Sequence, residues 1–201
     1  KIRDAEIDHE VCTHTFSHVL CDEVDDEVLD REIEMSRELH DEHFVSMVPP
    51  RHRKPSYDVL KGNGIEVVRL ATDDEPPSDM VRRYVWSLTR DHPVDRPTEK
   101  DGVIETRSSP FMTLTAPYLS SGVSSPHPAY RMLPRRLRQR MHERFLLSGL
   151  DAASQEATNV HYWTHLYNMA NEAQRKPIRR FVETLGGKDG IEKMRMVDLA
   201  E

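Results

Sequence analysis

Two histidines set four residues apart, His14 and His18, are the densest chemistry in the chain. They lie in the run His9 to His18, HEVCTHTFSH in one-letter code. An offset of four points two side chains the same way on a helix, and an even offset does so on a strand. Neutral imidazole is the commonest metal-ligating side chain. Two converging rings therefore make half of a site for a divalent ion such as zinc. The same spacing also suits two histidines in a solvated loop. A further arrangement is open: Cys12, His14, His18 and Cys21 form C-x-H-x3-H-x2-C, four zinc-type ligands close enough to make a closed structural staple.

Two other stretches carry candidate chemistry. Asn159 to Asn168 reads NVHYWTHLYN, where a β-rich run containing Tyr162 and Trp163 ends at His165, and His161 repeats the four-residue spacing. Phe44 to Arg53 reads FVSMVPPRHR, an apolar run stopped by Pro49 and Pro50 and followed by Arg51 and Arg53.

Glu10 to Phe16 reads as a short buried strand ending at the histidines. The acids Asp22 to Asp26 suit a helix start. Val28, Leu29, Ile33 and Leu39 then place a helix over Asp25 to His43. Phe44 to Val48 reads as a strand, Tyr57 to Lys61 as a helix ended by Gly62 or Gly64, and Ile65 to Leu70 as a strand. Ser78 to Leu88 has helical spacing. Asp91 to Pro110 and Ser120 to Pro128 read as loops, with a strand expected at Phe111 to Thr115. Pro134 to Leu147 predicts a helix ended by Gly149. Val160 to Thr164 reads as a strand, Asn171 to Leu185 as a helix and Lys193 to Val197 as a last strand. Strands alternating with helices imply an α/β fold with a largely parallel sheet, whose reacting groups sit at the carboxyl ends of strands.

The 201 residues suit one domain, 1–201, with a substantial core. A net charge of −7 argues against general nucleic-acid binding. The arginines of Pro134 to Leu147 (Arg135, Arg136, Arg138, Arg140 and Arg144) form a basic face that could hold an anionic glycan or simply pair with nearby acids. No apolar run reaches membrane-spanning length, and no signal peptide is visible, which leaves a cytoplasmic or cell-surface location open. Two cysteines give no disulfide framework. Opening on Lys1, the chain reads as part of a longer protein.

The run around His14 resembles the second motif of the polysaccharide deacetylases, the NodB-like group of carbohydrate esterase family 4, in which a phrase like HEIGNHTxSH supplies two metal histidines. His14, Thr15, Ser17 and His18 stand at those places, and His9 and Glu10 fit the lead-in. The run ending at His165 resembles the last motif of one subgroup, roughly HLWTHPxNL, with Leu166 where that subgroup has proline. The Pro-Pro-Arg stretch resembles the third motif, in which an arginine steers the catalytic aspartate. Arg51 is the first candidate for that role and Arg53 the second. The resemblance covers about Ile7 to Glu201, most weakly between Pro76 and Asn159. The family's first motif, a strand ending in Asp-Asp, has no match: Asp4 and Asp8 precede the histidines but follow no strand.

The resemblance implies an incomplete (β/α) barrel, distorted and TIM-like, with up to seven strands in the family. It implies a hydrolase that removes N-acetyl or related acyl groups from amino sugars of a polysaccharide. His14 and His18 would hold a divalent metal, zinc first, with cobalt, nickel or manganese as the other ions for such a site. His165 would be the acid that protonates the leaving amine, and Trp163 or Tyr162 would wall the substrate pocket. Thr15, Ser17 and His161 would support these groups from behind. The partner would be an acetylated glycan, with neither nucleic acid nor membrane involved, and the missing aspartates would come from a longer chain. A rival reading is a non-catalytic relative that lacks the aspartates and binds glycan or a partner chain. A family member acting on a small amide is another.

Overall fold

The first helix shows how the chain builds its site. In the computed structural model, which describes residues 9–40 and 43–200, α1 spans Asp26–His40. Asp25 starts it by accepting the Val28 N–H at 2.9 Å, satisfying one of the orphan donors at a helix N-terminus. Its buried positions Leu29, Glu32, Ile33 and Ser36 follow the i, i+3, i+4, i+7 rule of an amphipathic helix. Next come β1 (Ser46–Met47), α2 (Tyr57–Gly62) and β2 (Val67–Ala71). Asn63 joins the two helices: its side chain donates to Asp30 at 2.6 Å, and its carbonyl accepts from Arg37 at 2.7 Å. Gly64, at φ 70°, makes the left-handed turn that a side chain would resist before β2 begins.

The chain divides into two compact units. The first comprises residues up to Ala71, Arg96–Arg107 and those from Glu192 on; the second comprises Thr72–Asp95 and Ser108–Ile191. The first unit carries an open four-stranded sheet in the order β1-β2-β4-β3, with β3 at Thr98–Lys100 and β4 at Val103–Ser108. β1 and β2 run parallel, Ser46 beside Val67. The Ile104 N–H donates to the Glu66 carbonyl and the Thr72 N–H to the Ser108 carbonyl, so register advances the same way along β2 and β4. β3 and β4 are antiparallel. The expected mixed, mostly parallel α/β sheet is present, but these strands do not close into the barrel that the resemblance implied. Leu29 and Ile33 of α1, Tyr57 and Leu60 of α2, and Met47, Val68, Leu70 and Val103 of the sheet share one apolar core.

In the second unit, α3 (Met80–Thr89) is capped by Asp79, whose carboxylate accepts the Arg82 N–H at 2.8 Å. α4 (Arg135–Glu156) lies along α5 (Glu172–Gly186), with Arg180 paired to Glu143 at 3.1 Å and Lys188 to Asp151. Phe145, Leu146 and Leu150 of α4 pack on Phe181 of α5. Gln174 is fully buried and satisfied, accepting from the Ala116 N–H and donating to the Ala116 and Leu119 carbonyls.

Several sequence expectations are corrected. Asp91 to Pro110 is not all loop, because Asp101 and Gly102 adopt φ of 52° and 79° and turn β3 into β4. Gly149 does not end α4. It lies inside the helix where a Cβ would meet the Tyr162 hydroxyl at 2.6 Å. Glu10 to Phe16 contributes only one parallel bridge, Thr13 to Met47, and Asn159 one antiparallel bridge to Asp95, so neither Glu10 to Phe16 nor Val160 to Thr164 is a full strand. Phe111 to Thr115 forms no strand, and its Thr113 and Leu114 N–H groups donate to the Trp163 carbonyl. Lys193 to Val197 is not a strand either, and a 3-10 turn spans Val197–Ala200. Among the described residues no helix is long and apolar enough to cross a membrane.

Candidate functional site

The His14 loop is placed by the sheet of the first unit. The Thr13 N–H donates to the Ser46 carbonyl at 3.3 Å, and the Val48 N–H donates to the Thr13 carbonyl at 3.0 Å. These bonds lay residue 13 parallel to β1, on the side away from β2. His14 follows at the carboxyl end of that bridge, and Pro49 to Arg53 follow at the carboxyl end of β1. This is the edge where reacting groups gather in parallel α/β sheets. His14 Nδ1 contacts the Val48 carbonyl, the hydrogen bond that typically orients a metal-ligating imidazole and leaves Nε2 as the ligand.

The two rings lie together. Their centroids are 4.9 Å apart at an interplanar angle of 72°. Two imidazoles on one tetrahedral zinc, with Zn–N bonds of about 2.0–2.1 Å, bring their centroids to about 5 Å. Both histidines are exposed. The separation of the two rings is that of two imidazoles sharing such an ion. Among the described residues no group of three His, Cys, Asp or Glu side chains completes a ligand set. Asp4 and Asp8, the acids that precede the histidines, lie outside the described residues.

The backbone here is unusual. Thr15, His18, Arg51 and His52 have φ of 61°, 63°, 51° and 57°. Left-handed conformations cost about 1–3 kcal/mol at non-glycine residues, persist where the surroundings over-determine them, and cluster at functional sites. Thr15 is β-branched, which makes its φ a clear outlier. Ser17 fixes the loop to α1: its N–H and hydroxyl both donate to the Glu32 carboxylate, at 2.6 and 2.7 Å.

Arg51 is exposed on the turn after Pro50, whereas Arg53 pairs with Asp22 at 3.2 Å. Three residues missed in the sequence adjoin the loop. Glu32 sits on the apolar stripe of α1, and a lone carboxylate there was the available signal. Arg69 of β2 is only 9% exposed, and burial lowers its guanidinium to about 10 against an opposing effect of Cys12. Burial, then Arg69 and His14, lowers His52 to about 4. Neither Arg69 nor His52 left a mark in the sequence, because each looks like one more basic residue in an arginine-rich chain.

The structure does not assemble the closed staple. Cys12, His14, His18 and Cys21 do not gather, since no three such side chains meet among the described residues. Cys21 belongs to the apolar core beside Leu29 and Ile33, and burial raises its thiol to about 11. Burial and then Glu10 raise Cys12.

The remaining candidates belong to the second unit. His165 is exposed at the start of the 3-10 turn Leu166–Ala170. Its ring stacks on Tyr167 at 5.2 Å and meets Trp163 edge-on at 5.8 Å. Trp163 Nε1 donates to the Ser109 carbonyl at 2.8 Å. Tyr162 packs between His92 and Phe181 and donates its hydroxyl to the Leu146 carbonyl at 2.7 Å. His161 is half-buried in the extended stretch before His165. On the basic face of α4, Arg144 pairs with Asp91 at 2.8 Å and Arg138 donates to the Tyr118 carbonyl at 2.6 Å. Those two arginines serve packing within the unit.

No protein-family model matches the sequence, and no curated protein matches it either. A solved structure does. The chain superposes on the crystal structure of a "putative polysaccharide deacetylase from Mycobacterium smegmatis" with a TM-score of 0.62 at 15% identity. The likeness is one of fold. It covers 96% of this chain and 62% of that one, so the chain spans less than two thirds of the length of its structural neighbour.

Proposed function

We propose that the chain is a deacetylase-like hydrolase domain, acting with a divalent metal on N-acetyl groups of a polysaccharide's amino sugars. The observation that carries the proposal is the His14–His18 pair, with centroids 4.9 Å apart on a strained loop at the carboxyl edge of the sheet. The deacetylase-like fold supports it.

His14 and His18 would hold the metal, preferably zinc. When bound, such an ion acidifies water and polarises an acyl carbonyl. The Val48 carbonyl orients the His14 ring. Ser17 and Glu32 keep the loop in register. By the resemblance, His165 is the proposed proton donor to the leaving amine, a role that an imidazole can fill. Its ring stacks on Tyr167 and meets Trp163 edge-on. Arg51, exposed beside the loop, would orient a carboxylate or the substrate. The reading also calls for a carboxylate base and a third ligand, and among the described residues no group of three such side chains gathers to supply them.

Acetate release from acetylated amino-sugar oligomers, measured with zinc present, tests the proposal. His165→Ala is expected to lower turnover about 100-fold or more, the usual worth of a general acid, while leaving zinc binding unchanged. Parent protein that binds zinc yet releases no acetate from any such oligomer would favour the glycan-binding reading.

A further inference from the structure

We propose that Glu32 is a positioning residue for the His14–His18 pair, an inference that rests on the metal-binding reading above. Glu32 occupies an apolar-stripe position of α1 between Leu29 and Ser36 and is 9% exposed. A carboxylate there carries a desolvation cost unless its oxygens are engaged. Both are: Oε2 accepts the Ser17 N–H at 2.6 Å and Oε1 accepts the Ser17 hydroxyl at 2.7 Å. Hydrogen bonds to an ionised acceptor are roughly twice as strong as neutral ones. Two on one residue fix its direction as well as its place.

Ser17 stands one residue before His18 and two after Thr15, both at positive φ. Leu29 and Ile33, at 1% and 0% exposure, lock α1 into the core on either side of Glu32. The carboxylate thus transmits the position of a rigid helix to the segment that separates the two imidazoles. On the other side, His14 is held by the Val48 carbonyl of the sheet. One histidine is referenced to the sheet and the other to α1. Their separation depends on Glu32 keeping Ser17 in place.

Cobalt(II) is the probe, because its visible absorption reports ligand geometry and chelator competition gives its affinity. Groups that orient metal ligands are typically worth 10- to 100-fold in affinity. Glu32→Ala is expected to weaken cobalt binding by about that factor and to change the absorption bands. Glu32→Gln keeps an acceptor for the N–H and should restore most of both. Ser17→Ala removes only the hydroxyl contact, leaves the core carboxylate in place, and should cost several-fold; it decides the matter if Glu32→Ala does not fold. A lower melting temperature with parent-like cobalt affinity and spectrum in Glu32→Ala, or parent-like binding in Ser17→Ala where Glu32→Ala is unfolded, would reduce Glu32 to a structural residue and overturn the proposal. Parent protein that takes up no cobalt would refute the metal reading itself, and this inference with it.

Discussion

His92 and His142 show how burial sets the chemistry of single residues in the second unit. Burial lowers both imidazoles to about 4, against the opposing pull of the Pro93 and Leu114 carbonyls that they contact. Each ring therefore stays neutral in the fold at pH values where an unfolded histidine, near 6.5, takes up a proton. The unfolded state binds more protons as pH falls through this window. Stability is accordingly whole above about pH 6.5 and is lost progressively toward about pH 4. The melting temperature should fall across that range, with both rings silent in a histidine NMR titration above about pH 5. Titration of either ring near 6.5 in the folded protein would contradict the account. His14, His18 and His165 stand out in the sequence as candidates from their spacing and neighbours. His52 and Arg69 do not, because their importance lies in burial, which no local pattern announces.

At the level of elements, α4 gives the sharpest case of packing overriding local preference. Glycine inside a helix costs about 0.8–1 kcal/mol relative to alanine, which is why Gly149 reads as a helix end. The structure keeps it inside, since a Cβ would lie 2.6 Å from the Tyr162 hydroxyl and 2.9 Å from His92 Cβ. Gly149→Ala should therefore destabilise the protein by about 1–3 kcal/mol, the usual cost of overpacking, seen as a lower urea midpoint. A raised midpoint would show that Tyr162 and His92 move aside freely. Helices α1, α2, α3 and α5 were legible because caps and apolar spacing agree with where they pack. Strands were less so. β1 has two residues, and Thr13 contributes a single bridge, so their pairing depends on partners distant in sequence. The β3–β4 hairpin was missed although Asp101-Gly102 is a strong turn signal, because polar flanks on β3 masked it.

Across the whole molecule, the open, mostly parallel sheet and its fold likeness support the α/β expectation but not a closed barrel. At 15% identity the likeness speaks for architecture, and the chemistry must rest on residues. Those residues are few: two imidazoles, a loop bent at Thr15 and His18, and the carboxylate that holds it. The candidate site could be named from sequence as far as its motifs are local. No candidate for a third ligand or a base could be named, for want of any acid that follows a strand upstream of His14. The most direct measurement is zinc stoichiometry, by metal analysis after equilibrium dialysis, for the parent protein and for His14→Ala and His18→Ala. The account predicts one tightly held zinc per parent chain and its loss in both variants. A parent chain that retains no zinc, or variants that retain it fully, would contradict the account.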